Sequence, residues 1–118
     1  MESILTSVKK LLGITEEYEA FDPDLIMHIN TVLAILTQLG VGPDLGFFIM
    51  DKTATWSDWI SNTLICEPVK SFVFLKVRLF FDPPTSTAAV ESMNKLLDEL
   101  EYRIKLTVDT TENGGVSV

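Results

Sequence analysis

The chain has 118 residues, the length of one domain, and 47% of them are hydrophobic, enough for a packed core. Its net charge of −8 at pH 7 argues against a nucleic-acid reader, since such proteins need clustered basic side chains to displace counterions from phosphates. The apolar runs are too short to span a membrane, the N-terminus lacks the basic region of a signal peptide, and a single cysteine predicts a reducing compartment such as a cytoplasm.

Two amphipathic helices are predicted in the N-terminal third of the chain. The first extends from about Ser3 to Leu12, where apolar residues recur at i, i+1, i+4, i+7 and i+8. The second begins at Asp22, a favourable N-cap that is followed by Pro23, and it ends at Gly40. Its apolar stripe is wide, which indicates a helix that faces the core.

The segment between these helices is acidic. Glu16, Glu17 and Glu19, with two aspartates that follow them, fall within nine residues that contain no base. A solvated loop and helix start is the simpler interpretation of such a run. The functional alternative is a patch for a basic partner, or a channel wall that repels DNA. These three glutamates are therefore the candidate acidic patch.

Residues 41–54 are predicted to form a structured loop, in which a short extended piece is an open alternative. The turn sequence Gly42-Pro43-Asp44 lies near its start, and Phe47 and Phe48 follow without helical spacing. A soluble monomer gains nothing by exposing two adjacent phenylalanines. Both are therefore candidate protein-interface residues.

Residues 55–58, TWSD, resemble a capping box with Asp in place of the usual Glu or Gln. They predict a short third helix that continues to about Leu64. Trp56 and Trp59 are three residues apart and share one face of that helix. A core role is the simpler interpretation for both. The alternative is a role as interface anchors, because tryptophan is common at binding hot spots.

The fourth helix is predicted to begin at Pro68 and to stop at residues 82–84, DPP, since proline lacks an N–H and clashes with the preceding turn. It is apolar on most sides. Such a helix lies at the centre of a bundle or against a second protein. Phe74 and Phe81 are its candidate interface residues.

The fifth helix follows a run of N-cap residues at 85–87 and carries a heptad-like apolar seam from Val90 to Ile104. The predicted fold is thus all-α, a small bundle of four to five helices over residues 1–106. Residues 107–118 are predicted to be an extended C-terminal tail, whose composition favours disorder in isolation and which we expect to become ordered on assembly. Its candidate anchors to a partner are Val108, Val116 and Val118.

No residue pattern indicates catalysis, a metal site or a cofactor. The only histidine, His28, has Asp24 one turn away but no second ligand at metal-binding spacing. Cys66 lies beside an apolar segment, which predicts a buried, inert thiol. The carboxylates are explained by helix starts, i+4 pairs and loops, and no phosphate-binding or nucleophile motif is present. We expect no enzyme activity; carboxylates gathered by the fold are the weakest alternative.

The order of these motifs resembles that of a known family. The strings KTATWSD at residues 52–58 and LKVRLFFDPP at residues 75–84 carry the likeness, which extends over about residues 4–104. They are similar to the small head–tail connector (adaptor) proteins of bacteriophages, in particular those of long-tailed phages of Gram-positive bacteria.

The resemblance implies a structural virion protein. Such proteins are mostly helical and assemble as a ring, twelve-fold in the family, beneath the portal protein after DNA packaging. The ring joins the capsid to the tail, extends the DNA channel and offers a docking face to the next head-completion (stopper) or tail protein, while DNA passes without specific binding. The implied location is the virion neck, with the host cytoplasm during assembly and no membrane.

One further hypothesis is open from the residues alone. An acidic helical adaptor or inhibitor that masks a basic protein surface would have the same composition. It predicts a one-to-one complex whose affinity falls steeply with salt.

Overall fold

A computed structural model of the chain describes residues 2–61 and 63–110. In this part of the chain there are five helices and no strand. The helices are α1 (Ile4–Leu11), α2 (Asp22–Gln38), α3 (Trp56–Trp59), α4 (Thr63–Phe81) and α5 (Thr87–Asp109). The predicted all-α bundle is thereby confirmed. Its loop 41–54 is structured, and a single antiparallel bridge between Ser3 and Thr55 joins the start of α1 to the end of that loop.

Helix α4 is the centre of the bundle. It packs against α2 on one side and α5 on the other, and α1 joins through α2. Val69, Phe72, Val73 and Val77 recur at helical spacing on α4, and none of their side chains is exposed. Complete burial of four such side chains stabilises the fold by about 1.5–3 kcal/mol each. The apolar character of this segment is thus first a core property.

Helix α4 begins earlier than we expected. The sequence placed Pro68 at the first helical position, but the helix starts at Thr63 and contains Pro68. The apolar stripe explains the difference, because Ile65 and Cys66 extend it backward and are 5% and 8% exposed. Their burial offsets the one hydrogen bond that an internal proline removes. The buried Cys66 thiol agrees with the prediction.

Helix α3 is shorter than we expected. The predicted capping box is present, since Thr55 Oγ1 accepts from the Asp58 N–H at 3.2 Å and Asp58 Oδ2 accepts from the Thr55 N–H at 2.9 Å. The helix nevertheless ends at Trp59 rather than Leu64, and Ile60 is extended at φ −131° and ψ 124°. Ile60 is 7% exposed, so this break turns its side chain into the core.

The start of α2 corrects a second detail. Asp22 is not the N-cap but the first helical residue, and the capping position is Phe21, which provides no side-chain hydrogen bond. The Asp22 carboxylate instead lies 2.8 Å from the Lys9 ammonium. The carboxylate thus pairs with a buried cation instead of capping backbone N–H groups.

Helix α5 begins as predicted, with Ser86 Oγ accepting from the Ala89 N–H at 3.3 Å. It continues through Asp109, three residues into the segment for which we expected an extended tail. Thr110 is the C-cap of α5, and residues 111–118 of that segment lie outside the described residues. The boundary at residue 106 and the ordering of the tail on assembly stay predictions.

Candidate protein-interaction surfaces

A buried lysine fixes the acidic segment between α1 and α2. Lys9, on α1, is 2% exposed. Its Nζ donates to the backbone carbonyls of Glu16 at 2.9 Å and Tyr18 at 2.7 Å and pairs with Asp22 Oδ1 at 2.8 Å. Two of the three N–H donors of the ammonium are thus hydrogen-bonded, and its charge is paired with the Asp22 carboxylate. The acidic segment is thus a fixed surface element, although Glu16, Glu17 and Glu19 all point to solvent as exposed residues.

A continuous chain of aromatic rings extends from this segment to the end of α4. Ring centroids lie 5.5 Å apart for Tyr18–Phe21, 5.2 Å for Phe21–Phe81, 6.5 Å for Phe81–His28 and 5.7 Å for His28–Phe80. Three of the four contacts are edge-to-face or similar, which adds about 0.5–1.5 kcal/mol per pair to burial. We call these five residues the aromatic surface.

The aromatic surface is only partly covered. Tyr18, Phe21 and Phe80 are 51%, 39% and 44% exposed, whereas His28 and Phe81 are half-buried beneath them. The exposed acids Glu17 and Glu19 flank Tyr18 in the chain. Exposed apolar area that is bordered by charge is typical of an interaction site.

A second exposed apolar surface lies on loop 41–54. Leu45, Phe48 and Met50 are 102%, 68% and 78% exposed, and we call these three residues the loop surface. The segment is held in place by the Asn30 side chain, which donates to the Ile49 carbonyl at 2.9 Å and accepts from the Ile49 N–H at 2.7 Å. Ile49 is 2% exposed, so the loop is anchored to the core directly between two outward-facing side chains.

The other aromatic residues of this region are internal. Phe47 is half-buried and stacks on Trp59 at 6.4 Å between ring centroids. Trp59 is 3% exposed, and its ring lies so close to Gly42 that an added Cβ would be 2.4 Å from Nε1. Gly42 also has φ +78°, a left-handed conformation that favours glycine. The turn at Gly42 therefore closes over the indole ring.

Trp56 is 2% exposed and donates from Nε1 to Ser7 Oγ at 2.8 Å, while Ser7 Oγ donates to the Ser3 carbonyl at 2.7 Å. The structure thus places Trp56 and Trp59 in the core, which was the simpler of the two interpretations from sequence. An interface role for either stays a prediction, and it would require part of the core to open.

The loop surface and the aromatic surface lie on opposite flanks of α2. Residues seven apart on an α-helix share a face, and residues two apart point about 200° apart. Phe21 and His28 are seven apart and belong to the aromatic surface. Asn30 and Thr37 are also seven apart, and both adjoin the loop, at Ile49 and Gly46 respectively. Two partners could therefore occupy the two surfaces at the same time.

A groove of about 510 Å³ is the third candidate surface. Phe74, Leu75, Leu11 and Leu96 supply its apolar walls from α4, α1 and α5, and Trp56 lies at its base. Glu2, Glu67 and Lys70 also line the groove, so its walls combine apolar and charged side chains. It contains the half-buried candidate Phe74.

Of the three predicted tail anchors, one lies within the described residues and two lie outside them. Val108 is 8% exposed, lies beside Gly40 and belongs to the core of this chain, on α5. Val116 and Val118 lie outside the described residues. Sequence reasoning did not single out Tyr18, Phe21 or Phe80. The signal available was two aromatic residues within the acidic run and a pair of phenylalanines directly before the DPP stop.

Within residues 2–61 and 63–110, no group of three or more His, Cys, Asp or Glu side chains could hold a metal ion. Over the same residues, no helix combines the length and the apolar content that crossing a bilayer requires. Hydrogen bonds from the Thr53 hydroxyl and N–H lower the pKa of the exposed Asp51 carboxyl. That contact shapes a turn in the loop.

Over the described residues, the chain is a helical bundle with exposed apolar side chains on two surfaces and a partly apolar groove, which is typical of a protein that binds other proteins. The chain belongs to the phage connector protein family, whose family model matches residues 4–111. The resemblance drawn from the KTATWSD and LKVRLFFDPP strings is confirmed. No curated protein and no solved structure matches the chain.

Membership in this family makes the chain a phage head–tail connector protein. Connector families are structural and generally non-enzymatic, and they associate with other proteins of the phage head and tail. The family indicates a place in the neck of the virion.

Proposed function

We propose that the chain forms a ring beneath the portal protein, where it joins the capsid to the tail and extends the DNA channel. The observation that carries this proposal is family membership over residues 4–111. The ring would be twelve-fold, as the resemblance implies, and would present a docking face to the next head-completion (stopper) or tail protein. The protein would assemble in the host cytoplasm and remain in the virion neck.

The apolar surfaces support a ring on geometric grounds. A ring needs a heterologous interface, in which one patch of a subunit contacts a different patch of its neighbour. The loop surface projects apolar side chains, and the groove with Phe74 is a recess in which apolar side chains lie beside charged ones. We infer that the loop surface of one subunit packs into the groove of the next.

The charge of the chain supports passage of DNA without binding. A net charge of −8 repels phosphates, and Glu16, Glu17 and Glu19 are exposed. In the proposed ring, acid that faces the channel keeps the DNA mobile. The tail at residues 107–118 would be ordered by a neighbouring subunit or by the portal, with Val116 and Val118 as anchors.

Co-sedimentation with DNA-filled, portal-containing capsids tests the function. We expect the full chain to pellet with full capsids and to remain in the supernatant with capsids that lack the portal. Failure to pellet with full capsids, with a helical circular dichroism spectrum that shows correct folding, would refute the proposal.

Two variants separate core from interface within the same assay. Phe74→Asp and Phe81→Asp each place a charge at a half-buried position. A variant that stays folded but fails to pellet identifies its position as interface, and one that unfolds identifies it as core. Phe48→Ser, in the loop surface, should leave the melting temperature unchanged and impair only attachment, because Phe48 is 68% exposed. Tyr102→Ser, at an exposed position of α5, is the matched control for Phe48→Ser.

The exposed acidic segment favours a second candidate function, an acidic adaptor or inhibitor that masks a basic protein surface. Charge reversal at Glu16, Glu17 and Glu19 discriminates between the two. It should abolish binding if the protein is such an adaptor, and it should leave capsid attachment largely intact if the protein is a ring subunit held at the portal.

A further inference from the structure

We propose that the aromatic surface docks an arginine-bearing apolar segment of the protein that follows this one on the tail side of the head–tail assembly, a contact separate from attachment to the portal. This rests on the proposed connector function, which it deepens by naming the chemistry of one partner contact. The surface is separate from the loop surface used for the ring, since the two lie on opposite flanks of α2.

The aromatic surface offers both apolar area and aromatic rings to a partner. Tyr18, Phe21 and Phe80 are each 39% exposed or more, so part of each ring is open to solvent. Adjacent exposed aromatic rings of this kind are rare on a monomer unless a partner covers them. Tyrosine and phenylalanine faces bind apolar side chains, and they also attract the planar guanidinium of arginine.

The second argument is charge complementarity. Glu17 and Glu19 flank Tyr18, Asp24 lies one turn before His28, and Asp82 follows Phe81, so acids border the rings along the chain on each contributing segment. All four are exposed. The base on the neighbouring turn of α4, Arg78, is half-buried. An anionic border around an aromatic floor fits a cationic ligand that also has apolar side chains.

The third argument is preorganisation. Lys9 holds the carbonyls of Glu16 and Tyr18 and the carboxylate of Asp22, so the segment that carries two of the rings is fixed before any partner arrives. A prearranged surface loses less conformational entropy on binding than a mobile loop.

The acids also decide between arginine and lysine. A carboxylate accepts two parallel N–H donors from one guanidinium, whose planar group can stack on a ring at the same time. An ammonium is a compact point charge that satisfies only the electrostatic part. The surface should therefore prefer arginine to lysine at equal charge.

The probe is a short fluorescent peptide of alternating arginine and leucine, titrated into the purified full-length chain and followed by fluorescence anisotropy. Three matched peptides replace arginine by lysine, arginine by glutamate, or leucine by serine. We expect the arginine–leucine peptide to bind about tenfold more tightly than the lysine and serine peptides, and the glutamate peptide not to bind. Equal binding of the arginine, lysine and serine peptides would show attraction by net charge alone and would overturn the proposal.

Variants locate the contact on the protein. Phe21→Ala and Phe80→Ala should each weaken peptide binding about tenfold, while Tyr102→Ala, an exposed aromatic on α5, should leave it unchanged. Circular dichroism confirms that each variant is folded; if an alanine variant is not, Phe80→Leu keeps apolar area but removes the ring face. Unchanged binding in folded Phe21 and Phe80 variants overturns the inference.

Two outcomes separate this inference from its alternatives and from the proposed function. Light scattering measures self-association in the absence of peptide. If the wild type self-associates and Phe21→Ala does not, the occupant of the aromatic surface is a second copy of the chain, and the proposal of a basic partner is overturned. If the wild-type protein pellets with capsids but binds no peptide, the connector function is supported and the inference about the aromatic surface is refuted. Protein that binds the peptide but fails to pellet retains the surface and loses the proposed function.

Discussion

The substitution Lys9→Met removes the buried ammonium and keeps the length of the aliphatic side chain. The carbonyls of Glu16 and Tyr18 lose their hydrogen-bond donor, and the carboxylate of Asp22 loses its ion-pair partner. Breaking a buried ion pair by removing one partner destabilises a protein by about 3–5 kcal/mol, because the remaining charge is left unpaired. The Asp22 side chain is 22% exposed, so water reaches it in part, and we expect the lower end, about 3 kcal/mol.

The assay is chemical denaturation by urea, followed by circular dichroism. A loss of about 3 kcal/mol appears as a lower midpoint with an unchanged slope. In a thermal melt the same loss lowers the midpoint by roughly 10–15 °C for a domain of this size. Hydrogen exchange should also accelerate in residues 14–21, since Lys9 holds this segment to α1.

The neighbouring residue provides a matched control. Lys10 has a side chain that is 73% exposed and pairs with Glu2 at 3.2 Å. Exposed pairs contribute about 0–1 kcal/mol, so Lys10→Met should shift stability by less than about 0.5 kcal/mol. If Lys9→Met is as stable as Lys10→Met, the ammonium does not hold the acidic segment and the argument from preorganisation fails. Adding Asp22→Asn to Lys9→Met should restore part of the loss, because no unpaired charge remains.

The remaining predictions concern the loop. Gly42→Ala should destabilise the protein by at least about 2 kcal/mol more than Gly13→Ala in urea denaturation. Both glycines have positive φ, but only a Cβ at position 42 would clash with Trp59 Nε1, at 2.4 Å. Equal losses of stability in the two variants would contradict this contact. Thr53→Ala should raise the pKa of Asp51 toward its ordinary value, as followed by carboxyl NMR, because its hydroxyl hydrogen bond is the main cause of the lowered pKa. Because the folded-state pKa of Asp51 is lowered, its contribution to stability is present above the unfolded-state pKa and declines as the pH falls through the folded-state pKa. A pKa that does not change in the Thr53→Ala variant would contradict the assignment.

Much of the fold follows from local patterns in the sequence. Apolar residues at helical spacing predict α1, α2, α4 and α5, because a stripe on one face must be buried whatever covers it. The capping box at Thr55 is equally local, since it needs only groups three residues apart. The stop after Phe81 follows from the chemistry of proline. The strings that indicate the connector family lie within these segments.

What only the tertiary structure decided depends on groups that are distant in the chain or on competing contacts. Lys9 lies in the last turn of α1, yet its side chain reaches partners up to thirteen residues away because the fold brings α1 beside the start of α2. Asp22 is therefore a helical residue of α2 rather than its N-cap. Helix α4 begins before Pro68, because burial of Ile65 extends its apolar stripe. Contacts of this kind have no period and no fixed spacing, so no local pattern can predict them.

The candidate surfaces divide in the same way. Sequence composition alone identified the acidic run and Phe81 as separate features, and the structure joins them through Tyr18 and Phe21 into one surface. The order of residues determined that this protein is a helical bundle of a connector family, since periodicity and motif strings are local. Which side chains the bundle leaves exposed, and which it places side by side, is set by how the helices pack against one another.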